Sequence, residues 1–67
     1  MITAKIKELG IARLEKGWSR TKLAENAKVS ASSVCRIEQG LPANPTTAKK
    51  LADALGKTVG DLFNYES

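Results

Sequence analysis

The stretch 19–40 constrains the fold most, because it holds two short helix signals separated by a tight turn. Each signal opens with a serine, whose hydroxyl can accept a hydrogen bond from the free N–H groups at a helix start. Apolar residues bracket each serine at the spacing of a hydrophobic staple, Trp18 with Leu23 and Val29 with Val34. Two helices joined so closely must cross steeply, which places the second on the surface of the domain.

The second of these two helices has one apolar face and one polar face. Val34 and Ile37 lie on the inward face. Ala31, Ser32 and Arg36 lie on the outward face. A tight turn followed by an exposed helix of this kind is the helix-turn-helix geometry, in which the second helix fits a DNA major groove.

Length and composition limit the class of protein. A chain of 67 residues forms one domain, residues 1–67, and buries only about 60% of its unfolded surface, so its stability is marginal. The single cysteine, Cys35, cannot form an internal disulfide. We interpret it as a tolerated small residue, with a redox switch as the alternative. The formal net charge of +4 is compatible with a nucleic-acid partner.

Several classes of function are not expected. No apolar run is long enough for a signal peptide or a transmembrane helix. We therefore expect a cytoplasmic, nucleoid-associated protein without membrane contact. The chain has no histidine, no metal-ligand cluster and no glycine-rich phosphate loop. We expect no enzyme activity, no metal or other cofactor and no small-molecule ligand.

Caps and turn residues divide the rest of the chain into further helices. Gly17 ends the first helix, and Asn44 caps the fourth, with Pro45 at its first position. Thr58 and Asp61 have the spacing of a capping box. No segment alternates with period two, so we expect no sheet. The sequence thus predicts an all-α, compact five-helix domain with helices over residues 3–16, 19–27, 30–40, 45–55 and 58–64.

Short motifs follow one another along the chain in a defined order. They are Arg13, S-R-T-K-L-A at 19–24, V-S at 29–30, Val34, R-I-E-Q-G at 36–40, Pro45 and L-A-D-A-L-G at 51–56. Together, over residues 6–63, they resemble the phage repressor and Cro-like helix-turn-helix family, the XRE-type transcriptional regulators. The resemblance implies a repressor-like DNA-binding fold with the motif in helices 2 and 3. It also implies binding to double-stranded DNA and a homodimer, at least on DNA.

The resemblance further implies a structural ion pair. In this family the glutamate matching Glu38 pairs with the arginine matching Arg13, partly buried beneath the second helix of the motif. We therefore expect Arg13 and Glu38 to fix helix 3 against helix 1. The alternative is that both are solvated surface charges.

Three positions depart from the family pattern. Lys28 stands in the turn where the family usually has glycine, so it needs a left-handed conformation or a shifted turn, at a strain of about 1 kcal/mol. Arg20 stands where glutamine is usual and still suits a phosphate. Ala31 holds a leading base-reading position. It cannot hydrogen-bond a base, although its methyl can touch that of thymine.

Arg36 is the main candidate for base readout, because a guanidinium can bond O6 and N7 of guanine together. A phosphate contact and a solvated arginine are its alternatives. Ser32 and Ala31 complete the reading face, with a phosphate contact or a solvated serine as the alternatives for Ser32. Other polar side chains are expected to contact phosphates, although the lysines among them are alternatively only solubilising: Arg20, Ser30, Ser33, Gln39, Lys22, Lys28 and Asn44.

The predicted function is that of a sequence-specific transcriptional regulator, a repressor that binds a near-palindromic operator as a dimer. The alternative is a protein-interaction adaptor or an antitoxin-like module with the same fold. Near the C-terminal end we expect Leu62 in the core, whereas Phe63 and Tyr65 suit either the core or a dimer contact.

Overall fold

The computed structural model describes residues 2–65. Its elements are β1 (Ile2–Ala4), α1 (Ile6–Glu15), α2 (Arg20–Ala27), α3 (Ala31–Glu38), α4 (Pro45–Leu55), α5 (Val59–Leu62) and β2 (Phe63–Tyr65). The domain is mostly helical, which confirms the all-α class with five helices. Within residues 2–65, no helix has the length and apolar character needed to cross a membrane.

Side-chain caps set the starts of the later helices, as the sequence predicts. Ser19 accepts a hydrogen bond from the Lys22 N–H at the start of α2, and Asn44 accepts one from the Thr47 N–H at the start of α4. The hydroxyl of Ser30 does the same at the start of α3. These bonds satisfy donors that a helix start leaves free, so the starts are fixed locally.

A complete capping box opens α5. Asp61 accepts a hydrogen bond from the Thr58 N–H, while the Thr58 hydroxyl accepts one from the Asp61 N–H. The pKa of the Asp61 carboxyl lies below its ordinary value. The main cause is hydrogen bonding with the Thr58 backbone, and hydrogen bonding with the Thr58 side chain is the next largest. The box stabilises a helix that is otherwise too short to persist alone.

The two ends of the described chain form a small antiparallel sheet, so the prediction of a domain without a sheet is wrong. The paired residues are Ile2 with Tyr65, Thr3 with Asn64 and Ala4 with Phe63. A further backbone hydrogen bond, from Lys5 N to Leu62 O, extends this ladder to the start of α1. Strands of three residues are too short to show alternation, and their pairing joins opposite ends of the chain.

The sheet also corrects two helix bounds. Thr3 lies in β1 and does not cap helix 1, which starts at Ile6 after Lys5. Helix 5 ends at Leu62 and not at Asn64, because the backbone becomes extended at Phe63, with φ −134° and ψ 146°. In both places pairing with a distant strand prevails over weak local helix preference.

The core lies between the helices and the inner face of the sheet. Ala24 and Ala27 are buried on α2, where small side chains leave room for close packing of the neighbouring helices. Leu62 is buried as expected, Phe63 is 1% exposed and belongs to the core, and Tyr65 is 56% exposed. The largest fully buried side chains are Phe63, Leu9, Leu23, Leu51, Leu62 and Val34.

Lys28 adopts the left-handed conformation expected for the turn between α2 and α3, with φ 59° and ψ 43°. It is the single non-glycine residue with positive φ among residues 2–65. In this conformation the backbone N–H groups of the turn reach back to the end of α2, with Val29 N donating to Ala24 O. The turn therefore closes tightly despite the Cβ atom of the lysine.

Replacing Lys28 with glycine should stabilise the domain, because glycine enters the left-handed region without the Cβ clash. We expect Lys28→Gly to raise the free energy of unfolding by up to about 1 kcal/mol relative to Lys28→Ala, which keeps the Cβ atom but removes the charge. Urea denaturation of both variants measures the difference. An alanine variant at least as stable as the glycine variant would contradict the assigned strain.

Candidate nucleic-acid interface

The α3 helix presents a polar surface while two apolar residues fasten it to the core. Val34 and Ile37 are buried, at 0% and 3% exposure. Ala31, Ser32 and Arg36 are all exposed. The outer face of α3 is thus free to enter a DNA major groove without disturbing the side chains that hold the helix.

Two serines at the start of α3 are joined to each other. Ser30 Oγ accepts from the Ser33 backbone N–H at 3.1 Å and donates to Ser33 Oγ at 2.8 Å. The hydroxyl hydrogen of Ser30 is therefore used inside the helix start, whereas Ser33 retains its own hydroxyl hydrogen for another acceptor. Of the two, Ser33 is the better placed to donate to a phosphate.

A surface depression of about 240 Å³ lies between α3, the loop over residues 41–43 and the start of α4. It brings together Arg36, Ser33 and Asn44, three residues that the sequence nominates for DNA contact. Thr47 also lines the depression, although the sequence analysis does not predict a DNA contact for it. Its place in the first turn of α4 gives no local sign that it lies near α3, since that proximity depends on the fold.

Three further residues predicted to contact phosphates are exposed on other parts of the motif. Lys22 is exposed in α2, Lys28 is exposed in the turn, and Gln39 is exposed immediately after α3. The depression does not include any of these three side chains. Cys35 is half-buried on α3 as a free thiol. Residues 2–65 contain no cluster of histidine, cysteine or acidic residues able to hold a metal ion.

Glu38 and Arg13 meet beneath the end of α3. Arg13 Nε donates to Glu38 Oε2 at 3.0 Å, and Arg13 Nη2 donates to Oε1 at 3.3 Å. The side chains are 14% and 5% exposed, respectively. Arg13 Nη1 also donates to the carbonyl oxygen of Trp18 at 2.9 Å. One guanidinium therefore connects α1, the chain entering α2 and the end of α3.

Arg20 lies beside the same carboxylate. Its Nε atom is 3.5 Å from Glu38 Oε1, and its side chain is 53% exposed. This distance is longer than a normal hydrogen bond and corresponds to an ion pair. The sequence does not predict this contact, because no local spacing links the start of α2 to the end of α3.

Breaking this partly buried pair from one side should destabilise the domain strongly. Arg13→Met leaves Glu38 without its main partner, and we expect it to lower the free energy of unfolding by about 3–5 kcal/mol. Lys7→Met removes an exposed charge from the same helix and should change it by less than about 0.5 kcal/mol. Thermal and urea denaturation measure both.

The double variant Arg13→Met with Glu38→Met tests the reason for this loss. It removes both charges of the pair and leaves only Arg20, whose side chain is 53% exposed and hydrated, without the carboxylate. It should therefore recover much of the stability lost in the single variant. Equal melting temperatures for Arg13→Met and the wild type would show that the pair has no structural role.

Comparison with known proteins agrees with this geometry. A family model described as helix-turn-helix matches residues 9–62, which include α2, α3 and α4 in full. No curated protein and no solved structure gives a significant match. Because the family match covers most of the chain, the protein belongs to the helix-turn-helix family of Cro-like, XRE-type regulators, which bind double-stranded DNA and control transcription.

Proposed function

We propose that the protein is a sequence-specific repressor that binds a near-palindromic operator as a homodimer and excludes polymerase from it. The observation that carries this proposal is the exposed polar face of α3. This face carries the positively charged Arg36, and the helix is held by a partly buried ion pair. A fixed helix can read bases because its side chains keep a constant register against the groove. The proposal includes no catalytic step.

Base readout falls to the outer face of α3. Arg36 can donate two hydrogen bonds to O6 and N7 of one guanine. Ser32 can bond either purine or pyrimidine edges, and Ala31 can contact a thymine methyl. Since alanine and serine discriminate weakly, Arg36 supplies most of the direct readout, and the shape of the operator supplies the rest.

Phosphate contacts orient the domain on the duplex. The residues proposed for them lie on α2, in the turn, on or next to α3 and at the start of α4, and they carry charge or hydrogen-bond donors. In a dimer, two such domains would place their α3 helices about 34–36 Å apart, one helical turn of DNA. The proposed phosphate-binding residues are Arg20, Ser33, Gln39, Lys22, Lys28 and Asn44. Ser30, predicted from the sequence, is left out because its hydroxyl hydrogen is bonded to Ser33.

The role of Arg36 can be tested by selecting DNA sites from a random pool with the wild type and with Arg36→Ala. We expect the variant to lose preference at one base pair in each half-site, at a cost of about 1–3 kcal/mol. Lys49→Ala is the matched control, because Lys49 is an exposed cation paired with Asp53 on α4. Equal weakening on every sequence would assign Arg36 to phosphate instead.

The Lys49→Ala control should select the same DNA sequence as the wild type. If the wild type itself enriches no sequence at moderate salt, the adaptor function replaces the repressor function.

Lys22 provides a separate test of phosphate binding. We expect Lys22→Ala to weaken binding equally across selected and unselected sequences, and to reduce the slope of log affinity against log salt by about 1. Fluorescence anisotropy on one selected site and one scrambled site, over a salt series, measures both quantities. An unchanged salt slope would remove Lys22 from the set of phosphate contacts.

A further inference from the structure

A single carboxylate, that of Glu38, is shared by two arginines. Its Oε2 atom accepts from Arg13 Nε, and its Oε1 atom faces both Arg13 Nη2 at 3.3 Å and Arg20 Nε at 3.5 Å. The cluster contains two positive charges and one negative charge. One positive charge is therefore not compensated within the cluster. This excess charge lies on the side of Arg20, the exposed member.

The way in which Arg20 meets Glu38 leaves its outer end available. The ion pair is formed through Nε, and a guanidinium has two further nitrogens that carry four hydrogens. Arg20 is also the first residue of α2, one position after the Ser19 cap. The Nη groups can therefore bond an anion while Nε stays against the carboxylate.

We propose that Glu38 is a positioning residue for the phosphate contact of Arg20. This inference rests on the proposed DNA-binding function, since the anion is a phosphodiester of the bound operator. A phosphodiester on Arg20 would bring the cluster of Arg13, Glu38 and Arg20 to neutrality. Arg20 would then connect the DNA backbone to Glu38 at the end of α3, and Glu38 connects to Arg13 on α1.

Arginine is required for this role because it presents two separate faces to two anions. A lysine has a compact ammonium group and cannot hold the carboxylate with one nitrogen and the phosphate with two others. Arg20→Lys therefore keeps the charge and loses the link. The variant changes an exposed side chain, so the fold should be retained.

A double-mutant cycle on operator affinity tests the link. We expect Arg20→Lys to weaken binding roughly tenfold in the wild-type background and by less than about threefold in a Glu38→Gln background. Lys22→Ala is the matched control, because it removes a cation from the same helix. It should have the same effect in both backgrounds. Equal effects of Arg20→Lys in the two backgrounds would overturn the proposal.

A second measurement uses the unaltered protein, because Glu38→Gln also leaves Arg13 unpaired and can impair folding. The side-chain Nε–H groups of Arg20 and Arg36 are compared by NMR relaxation without DNA. We expect the Arg20 group to be clearly more ordered than that of Arg36, which is exposed. Equal mobility of the two groups would overturn the positioning role.

The outcomes separate this inference from the function beneath it. A wild type that selects an operator, combined with an equally mobile Arg20 or with additive effects in the cycle, overturns the positioning role alone. A wild type that selects no DNA sequence overturns the repressor function and this inference together.

Discussion

The partly buried pair of Arg13 and Glu38 is the contact on which the binding face depends. Helix α3 is short, and its outer side must remain polar, so only Val34 and Ile37 anchor it through apolar burial. The ion pair adds a directional contact at its C-terminal end. Because an unpaired buried charge is costly, arrangements in which α3 shifts away from Arg13 are strongly disfavoured.

The same guanidinium also fixes the other helix of the motif. By donating to the Trp18 carbonyl, Arg13 holds the chain where it enters α2. At the opposite end of α2, the left-handed turn at Lys28 sets the crossing with α3. The helix-turn-helix is therefore constrained at its entry, at its turn and at its exit, and its outer face can be devoted to DNA.

The sequence predicted most helix starts well because they depend on local chemistry. Ser19, Ser30 and Asn44 bond N–H groups within their own first turn, so the signal and its partner lie together in the chain. The left-handed conformation at Lys28 was one of two expected from the family resemblance, because the family usually has glycine at that place in the turn; the other was a shifted turn. The pairing of Glu38 with Arg13 was expected from family resemblance, since no local rule connects residues 25 positions apart.

The sequence by itself determined the caps, the apolar faces and the tight turn, because each arises from interactions within a few residues. The tertiary structure decided the sheet between the chain ends, the depression shared by α3 and α4, and the second arginine on Glu38. Each of these joins residues distant in the chain. Their contact depends on how the helices pack, and packing reflects the whole core rather than any one segment.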